Sequence, residues 1–427
     1  MFRLIIRLLT VFTAWTALLA NTKLPNGRFI LLNAIGKAIG SALSPFLTMF
    51  GGLAAIIGLL RRDKLLIATG VATTALAAKH IHEVTQPHDS FNFALGPNWQ
   101  ERIPHHLHNR LLPQRYAFHP LPTVPTHLTK DYVIGQHRET GDPLLADIWQ
   151  PAPDGLHTGV GIIYLHGSVW HYIDKDYGRS TRPFFQYLAN QGYLVADVGY
   201  TLAPKASSIP MVADVKRAIA WMRNNADELG INPNRIVLVG GSAGAHLALL
   251  AAYTPNHPLL DPADVADVDT AVRGVVSYYG ITDLVAEHEY LQRIPPIPSR
   301  IKKLIEKSML KTRFVPSYGG YIDPAQAIPA VVGGAPDEQP ELYQLLSPIT
   351  HVHPNCPPTL LLNGTHDVGV AIEQHRQLYA ALYRQGVTAV HVEYSTAEHA
   401  FDVLAPRWAP GTRAALYDLE RFLALLN

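Results

Sequence analysis

The chain has 427 residues, 48% of them apolar and 16% charged, with 34 acidic side chains against 35 basic ones. That composition excludes a disordered protein, and the single Cys356 excludes an internal disulfide or a zinc site built on several thiolates. The charge is unevenly placed: residues 1–80 carry +8, with Asp63 their one acidic residue, and the rest carries −7. A mildly acidic folded part has the wrong sign for a nucleic-acid binder.

Three apolar stretches open the chain: Leu4–Ala20, interrupted by Arg7; Ala42–Leu60, which has no charge but contains Pro45; and Leu65–Ala78. A helix rises ~1.5 Å per residue, so about 20 residues cross a ~30 Å hydrocarbon core, and the second stretch is long enough. The turn Arg61-Arg62-Asp63-Lys64 reads as the cytoplasmic end of a hairpin. Residues 1–80 are therefore expected to anchor the chain to a lipid bilayer by transmembrane helices, with the following domain on the periplasmic or extracytoplasmic side. A helical layer packed on that domain is the alternative.

Residues 81–130 lose all periodicity and are rich in Pro and His, among them His105, His106 and His108, as expected of a linker or a strap across a surface. From residue 131 strand and helix alternate. Asp131–Pro151 predicts a hairpin turning at Thr140–Pro143. Strands are predicted over Gly159–Leu165, Tyr193–Val198, Arg235–Val239, Val272–Tyr278, Pro358–Leu362 and Thr388–Tyr394. Helices are predicted over Ser207–Leu229, Gly244–Tyr253 and Gly411–Leu426. Fully apolar strands alternating with helices imply an α/β fold, with a mostly parallel sheet covered on both faces and ligands at the carboxyl ends of its strands.

Between the strand Arg235–Val239 and the next helix lies Gly240-Gly241-Ser242-Ala243-Gly244, a G-x-S-x-G turn. A serine at the tip of so tight a turn takes strained backbone angles. Gly240 and Gly244 flank it because side chains there would make strand and helix collide. The turn also aims the Ala243 N–H and the helix N-terminus at a reacting carbonyl. A second strand end carries His166-Gly167-Ser168-Val169-Trp170, where the N–H groups of Gly167 and Ser168 can complete an oxyanion hole.

At these residues the sequence resembles the α/β-hydrolase superfamily, in the esterase branch around hormone-sensitive lipase, kynurenine formamidase and prenylcysteine methylesterase. The resemblance covers residues 131–427. It rests on His166–Trp170 for the family's H-G-G-x-W, Tyr200-Thr201-Leu202-Ala203-Pro204 for its Y-R-L-A-P, and Ser242–His246 for its S-A-G-x-H. Ser168 replaces a glycine of the oxyanion loop, and Gly241 replaces the aspartate typical of the lipase elbow, which leans towards the formamidase and methylesterase side.

In this fold the triad runs Ser, acid, His. The strand Pro358–Leu362 leads to Asp367, and the last strand leads to His399; the resemblance selects the same pair. His366 adjoins the acid on the wrong loop, His391 lies within a strand, and His246 is expected to pack or bond locally. The acidic run Asp261, Asp264, Asp267 and Asp269 is expected to be a solvated loop rather than a calcium site, and the triad needs no metal or organic cofactor. Residues 281–347 interrupt the alternation; Ile301–Met309 reads as a lid helix, an interfacial helix or a basic surface helix.

The expected function is a membrane-anchored serine hydrolase cleaving a small or amphiphilic carboxylic ester. An arylformamidase-like amide hydrolase is a second reading. The third is a binding protein of the same fold without catalysis, against which the presence of His399 argues.

Overall fold

The computed structural model describes residues 2–24, 30–122, 126–176, 180–296, 298–300, 302–303 and 322–427. Most of Ile301–Met309 lies outside the described residues. Among these residues one eight-stranded sheet organises the chain: β1 (His127–Gln136), β2 (Pro143–Gln150), β3 (Gly161–Leu165), β4 (Leu194–Gly199), β5 (Ile236–Gly241), β6 (Gly274–Tyr278), β7 (Thr359–Gly364) and β8 (Ala389–Tyr394). Their spatial order is β1-β2-β4-β3-β5-β6-β7-β8. The pairs β1/β2 and β2/β4 are antiparallel and all later pairs parallel. The predicted hairpin and apolar strands appear within a few residues of their expected limits.

Alternate residues of each inner strand enter two cores. Ile163, Leu165, Leu238 and Leu361 pack under the helices Ser208–Asn224, Ala243–Tyr253 and Glu373–Arg384. Ile162, Tyr164, Val237 and Leu360 pack on the other face, under the helices Arg182–Asn190 and Pro410–Leu426. Residues 85–122 join this second core as a strap of short helices and turns: Phe91, Trp99, Ile103, Leu107 and Leu112 are buried in it, and the Leu112 N–H donates to Glu420 Oε1. Residues 281–347 contain three short helices, Leu284–Leu291, Pro324–Val332 and Pro340–Leu346, among the described residues.

The N-terminal region departs most from expectation. Among the described residues it forms four helices: α1 (Phe2–Ala20), α2 (Ile30–Ala42), α3 (Ser44–Leu60) and α4 (Lys64–Val84). Among the described residues no single helix is long and apolar enough to cross a membrane; α2 and α3 pass that test only together, bent by 80° at their junction. The physical reason lies in the sequence, where Pro45 starts a new helix within the apolar run and leaves α3 with 17 residues. Small residues let the helices close up. A Cβ at Gly51 would stand 2.7 Å from the Gly70 carbonyl oxygen, and one at Gly70 would stand 2.6 Å from the Ala55 nitrogen. Arg7, the charge interrupting the first apolar stretch, pairs at 2.9 Å with the buried Asp63 that caps α4. The helices also rest on the hydrolase unit: His80 Nδ1 lies 2.9 Å from Thr396 Oγ1, and Phe46 packs edge-on to Trp408 at 5.2 Å.

Candidate active site

Sheet register gathers the site. Leu165 of β3 pairs with Gly240 of β5, so the loop after β3 lies beside the turn after β5. Gly364 of β7 pairs with Tyr394 of β8, which sets the next two loops at one height. Ser242 stands at the turn with φ 54° and ψ −120°, in the left-handed half of the map where an L side chain is strained. The turn is held by its surroundings: the Ser242 N–H donates to the Tyr278 carbonyl at 2.8 Å, and the His246 N–H donates to the Ser242 carbonyl at 3.0 Å. A Cβ on Gly240 would strike the backbone of Gly244 at 2.5 Å, and one on Gly244 would strike the carbonyls of Leu165 and His166. Both positions require glycine for close approach.

His399 Nε2 lies 3.1 Å from Ser242 Oγ, and its Nδ1 lies 2.9 and 3.0 Å from the two carboxylate oxygens of Asp367. Asp367 is buried, and its Oδ1 also accepts the N–H groups of Gly369 and Val370, both at 2.8 Å. Burial opposes a charge on His399, yet the Asp367 carboxylate, with Glu398 and Asp402 adding to it, carries the imidazole pKa above its ordinary value. Such an arrangement is able to stabilise an imidazolium formed by taking a serine proton.

Gly167 sits against the serine, for a Cβ there would lie 3.3 Å from Ser242 Cβ and 2.9 Å from the Gly241 carbonyl oxygen. Ser168, the residue that departs from the glycine pattern, has φ 92°, followed by Val169 and Trp170 each at φ 60°. Three successive side-chain-bearing residues at positive φ make this a strained loop, and specific contacts hold it. His166 stacks on Tyr200 at 4.4 Å, its Nδ1–H donates to the Gly167 carbonyl at 2.9 Å, and the Tyr200 hydroxyl donates to the His166 carbonyl at 2.9 Å. The Trp170 indole donates to His246 Nδ1 at 3.3 Å, while His246 Nε2–H donates to the Leu346 carbonyl at 2.8 Å. His246 thus ties the elbow helix to the loop after β3 as a neutral ring, its pKa pulled down to about 4 by burial.

Gly167→Ala keeps the N–H but displaces it. Its turnover is expected to fall ~10²-fold or more, the scale of one lost oxyanion donor, with circular dichroism unchanged. Near-normal turnover in the folded variant would place the hole elsewhere.

The other candidates occupy structural positions. Asp261 pairs with Lys216 and Asp264 with Arg217, so these carboxylates are engaged by cations of the helix Ser208–Asn224. His366 is turned towards Lys37. Beside His399, whose ring lies 4.6 Å from that of Tyr279, the Tyr279 hydroxyl donates to Asp402. Sequence reasoning missed four groups around the triad: Lys37, Glu398, Tyr279 and Glu287. Glu398 had one signal, its place immediately before His399. Glu287 lies fully buried near Asp367, its pKa driven well up by burial and then by that neighbouring charge.

Residues 146–382 match the BD-FAE family model. Esterase LipQ of Mycobacterium tuberculosis is 33% identical over 266 residues, which cover 61% of this chain and 55% of that protein. Esterase LipC of the same organism is 29% identical over 264 residues, covering 61% and 57%. The matched part of the chain thus spans about half the length of these curated relatives. Among solved structures, Thermogutta terrifontis esterase 2 phosphonylated by sarin aligns with a TM-score of 0.53 at 21% identity, covering 71% of this chain and 95% of that one. Its propionate-bound form aligns with a TM-score of 0.50 at 22% identity, covering 71% and 94%. The sheet order, the elbow between β5 and its helix, and the match over more than half the residues agree: the chain belongs to the BD-FAE family and has the α/β-hydrolase fold.

Proposed function

We propose that this protein is a carboxylic ester hydrolase working through an acyl-enzyme on Ser242, and that it sits on a membrane by the outer face of its N-terminal helices. The observation carrying the first part is the line of Asp367, His399 and Ser242, joined at 2.9 and 3.1 Å on the ends of three strands. His399 Nε2 takes the Ser242 proton as Oγ adds to the ester carbonyl. The N–H groups of Gly167, Ser168 and Ala243 receive the oxyanion, and the imidazolium returns the proton to the leaving alcohol. Water then repeats the sequence on the acyl-enzyme. The names of LipQ and LipC favour an ester over an amide.

Support for the second part is the apolar outer surface of α1–α4, where Leu8, Phe12, Ile35, Met49, Leu53 and Leu60 are exposed. An apolar face of that extent beside the basic turn Arg61-Arg62 suits helices embedded along one leaflet rather than crossing it. Placement on the extracytoplasmic side belongs to the same proposal, with protease accessibility in intact cells as its test.

A panel of p-nitrophenyl esters and N-formylkynurenine tests the chemistry, with ester turnover expected to dominate. Preferred hydrolysis of the formamide would transfer the chain to the amide-hydrolase reading, and no turnover of either would leave a binding protein. The full chain is expected to sediment with membranes and to be released by detergent but not by salt. Full-length protein that stays in solution without detergent would overturn the membrane reading.

A further inference from the structure

Lys37 lies on α2, more than a hundred residues before the region that matches the family, and its side chain is completely buried. Among the described residues its ammonium group has three partners. It donates to the Thr22 carbonyl at 2.9 Å and to His366 Nδ1 at 2.8 Å, and it pairs with Glu398 Oε2 at 3.5 Å. Glu398 in turn joins the two catalytic loops. Its Oε1 accepts the Val368 N–H at 2.7 Å, next to the acid, and the His399 N–H at 3.1 Å, on the base itself. A carboxylate that receives two backbone donors from different loops fixes their separation, and a buried cation keeps it ionised.

We propose that Lys37 is a positioning residue for the triad, supplied by the N-terminal helices: through Glu398 it holds the Asp367 loop and the His399 loop at catalytic spacing. The inference rests on the reading of Ser242, Asp367 and His399 as a hydrolytic triad, and it gives residues 1–80 a part in turnover besides attachment. The hydrolase unit then depends on its N-terminal helices, since α2 reaches both triad loops.

Electrostatics gives the arrangement a pH signature. Facing Lys37 are Glu398 on the base loop, His366 and Asp367 on the acid loop, Lys23 after α1, and His80 on α4. Burial dominates and draws the Lys37 pKa down to about 8, against the opposing pull of Glu398 and Asp367. Burial likewise raises Glu398 to about 6 despite Lys37. Between these values the pair is charged. Above about pH 8 the lysine loses its proton and Glu398 loses its cation.

The test uses the full chain in detergent, with active sites counted by complete fluorophosphonate labelling and turnover read on a short-chain p-nitrophenyl ester. K37M is expected to lower kcat per labelled site about tenfold with KM changed less than twofold, and to lack the decline in kcat that is expected of the wild type above about pH 8. K37M leaves a buried carboxylate without its cation and can lose stability, so E398Q and the double variant K37M/E398Q, which has no such charge, are measured beside it. If Lys37 acts through Glu398, the double variant falls no further than the worse single one. A K37M enzyme with wild-type kcat per site and only a lower melting temperature would overturn the proposal, as would fully additive losses in the double variant. A wild-type chain that neither labels nor turns over would remove the triad reading, and the proposal with it.

Discussion

Ser242→Ala is expected to abolish fluorophosphonate labelling and to lower turnover by at least ~10³-fold, towards the ~10⁶-fold that removal of a triad serine can cost. The change is confined to one oxygen. Alanine carries the same Cβ as serine, so the strain at φ 54° is neither relieved nor increased. The Tyr278 and His246 hydrogen bonds that hold the turn use the backbone of residue 242 and survive the substitution. What is lost is the Oγ and its 3.1 Å contact with His399 Nε2, a hydrogen bond worth about 1 kcal/mol to the fold. Melting temperature should therefore move by no more than a few degrees while turnover collapses. Persistent labelling on another serine, or turnover within tenfold of wild type, would show that Ser242 is a bystander in a glycine-rich turn.

The parts of this molecule that sequence discloses are those governed by local rules. Buried strands such as Ile236–Gly241 read as apolar runs because both faces are covered, and Gly240 and Gly244 stand out because close approach there admits no side chain. Asp367 and His399 follow from their places after strands. The helix α2 did not read as an element of its own, because Asn33, Gly36, Lys37 and Gly40 interrupt its apolar pattern. Those same residues are explained only by partners far along the chain. A Cβ at Gly40 would meet the Thr16 carbonyl, and Lys37 meets Glu398 361 residues later. A lone lysine in an apolar stretch reads as a mark of topology; its burial against an ionised glutamate is a tertiary fact. Glu287 and Tyr279 escaped notice for the same reason, since no spacing in the sequence relates them to the loops they face.

Asp367→Asn carries the second large expectation, a loss of about 10⁴-fold in kcat with the fold intact. The hydrogen bonds decide how the amide must sit. Oδ1 of Asp367 receives the N–H groups of both Gly369 and Val370 at 2.8 Å, so an asparagine has to place its oxygen there. Its NH₂ then takes the place of Oδ2, which lies 2.9 Å from His399 Nδ1. Two donors cannot face each other, so Nδ1 must give up its hydrogen and accept. The proton of the neutral ring moves to Nε2, which now presents a donor to Ser242 Oγ where a base is needed. Asparagine thereby preserves the loop and reverses the tautomer. Asp367→Ala would instead leave two backbone donors without their acceptor in a buried place and confuse catalysis with stability. The measurements are kcat on a water-soluble ester, the rate of fluorophosphonate labelling, and the melting temperature of the asparagine variant. Turnover within tenfold of wild type would mean that Asp402 or Glu398, both close enough to raise the His399 pKa, orients the imidazole in place of Asp367.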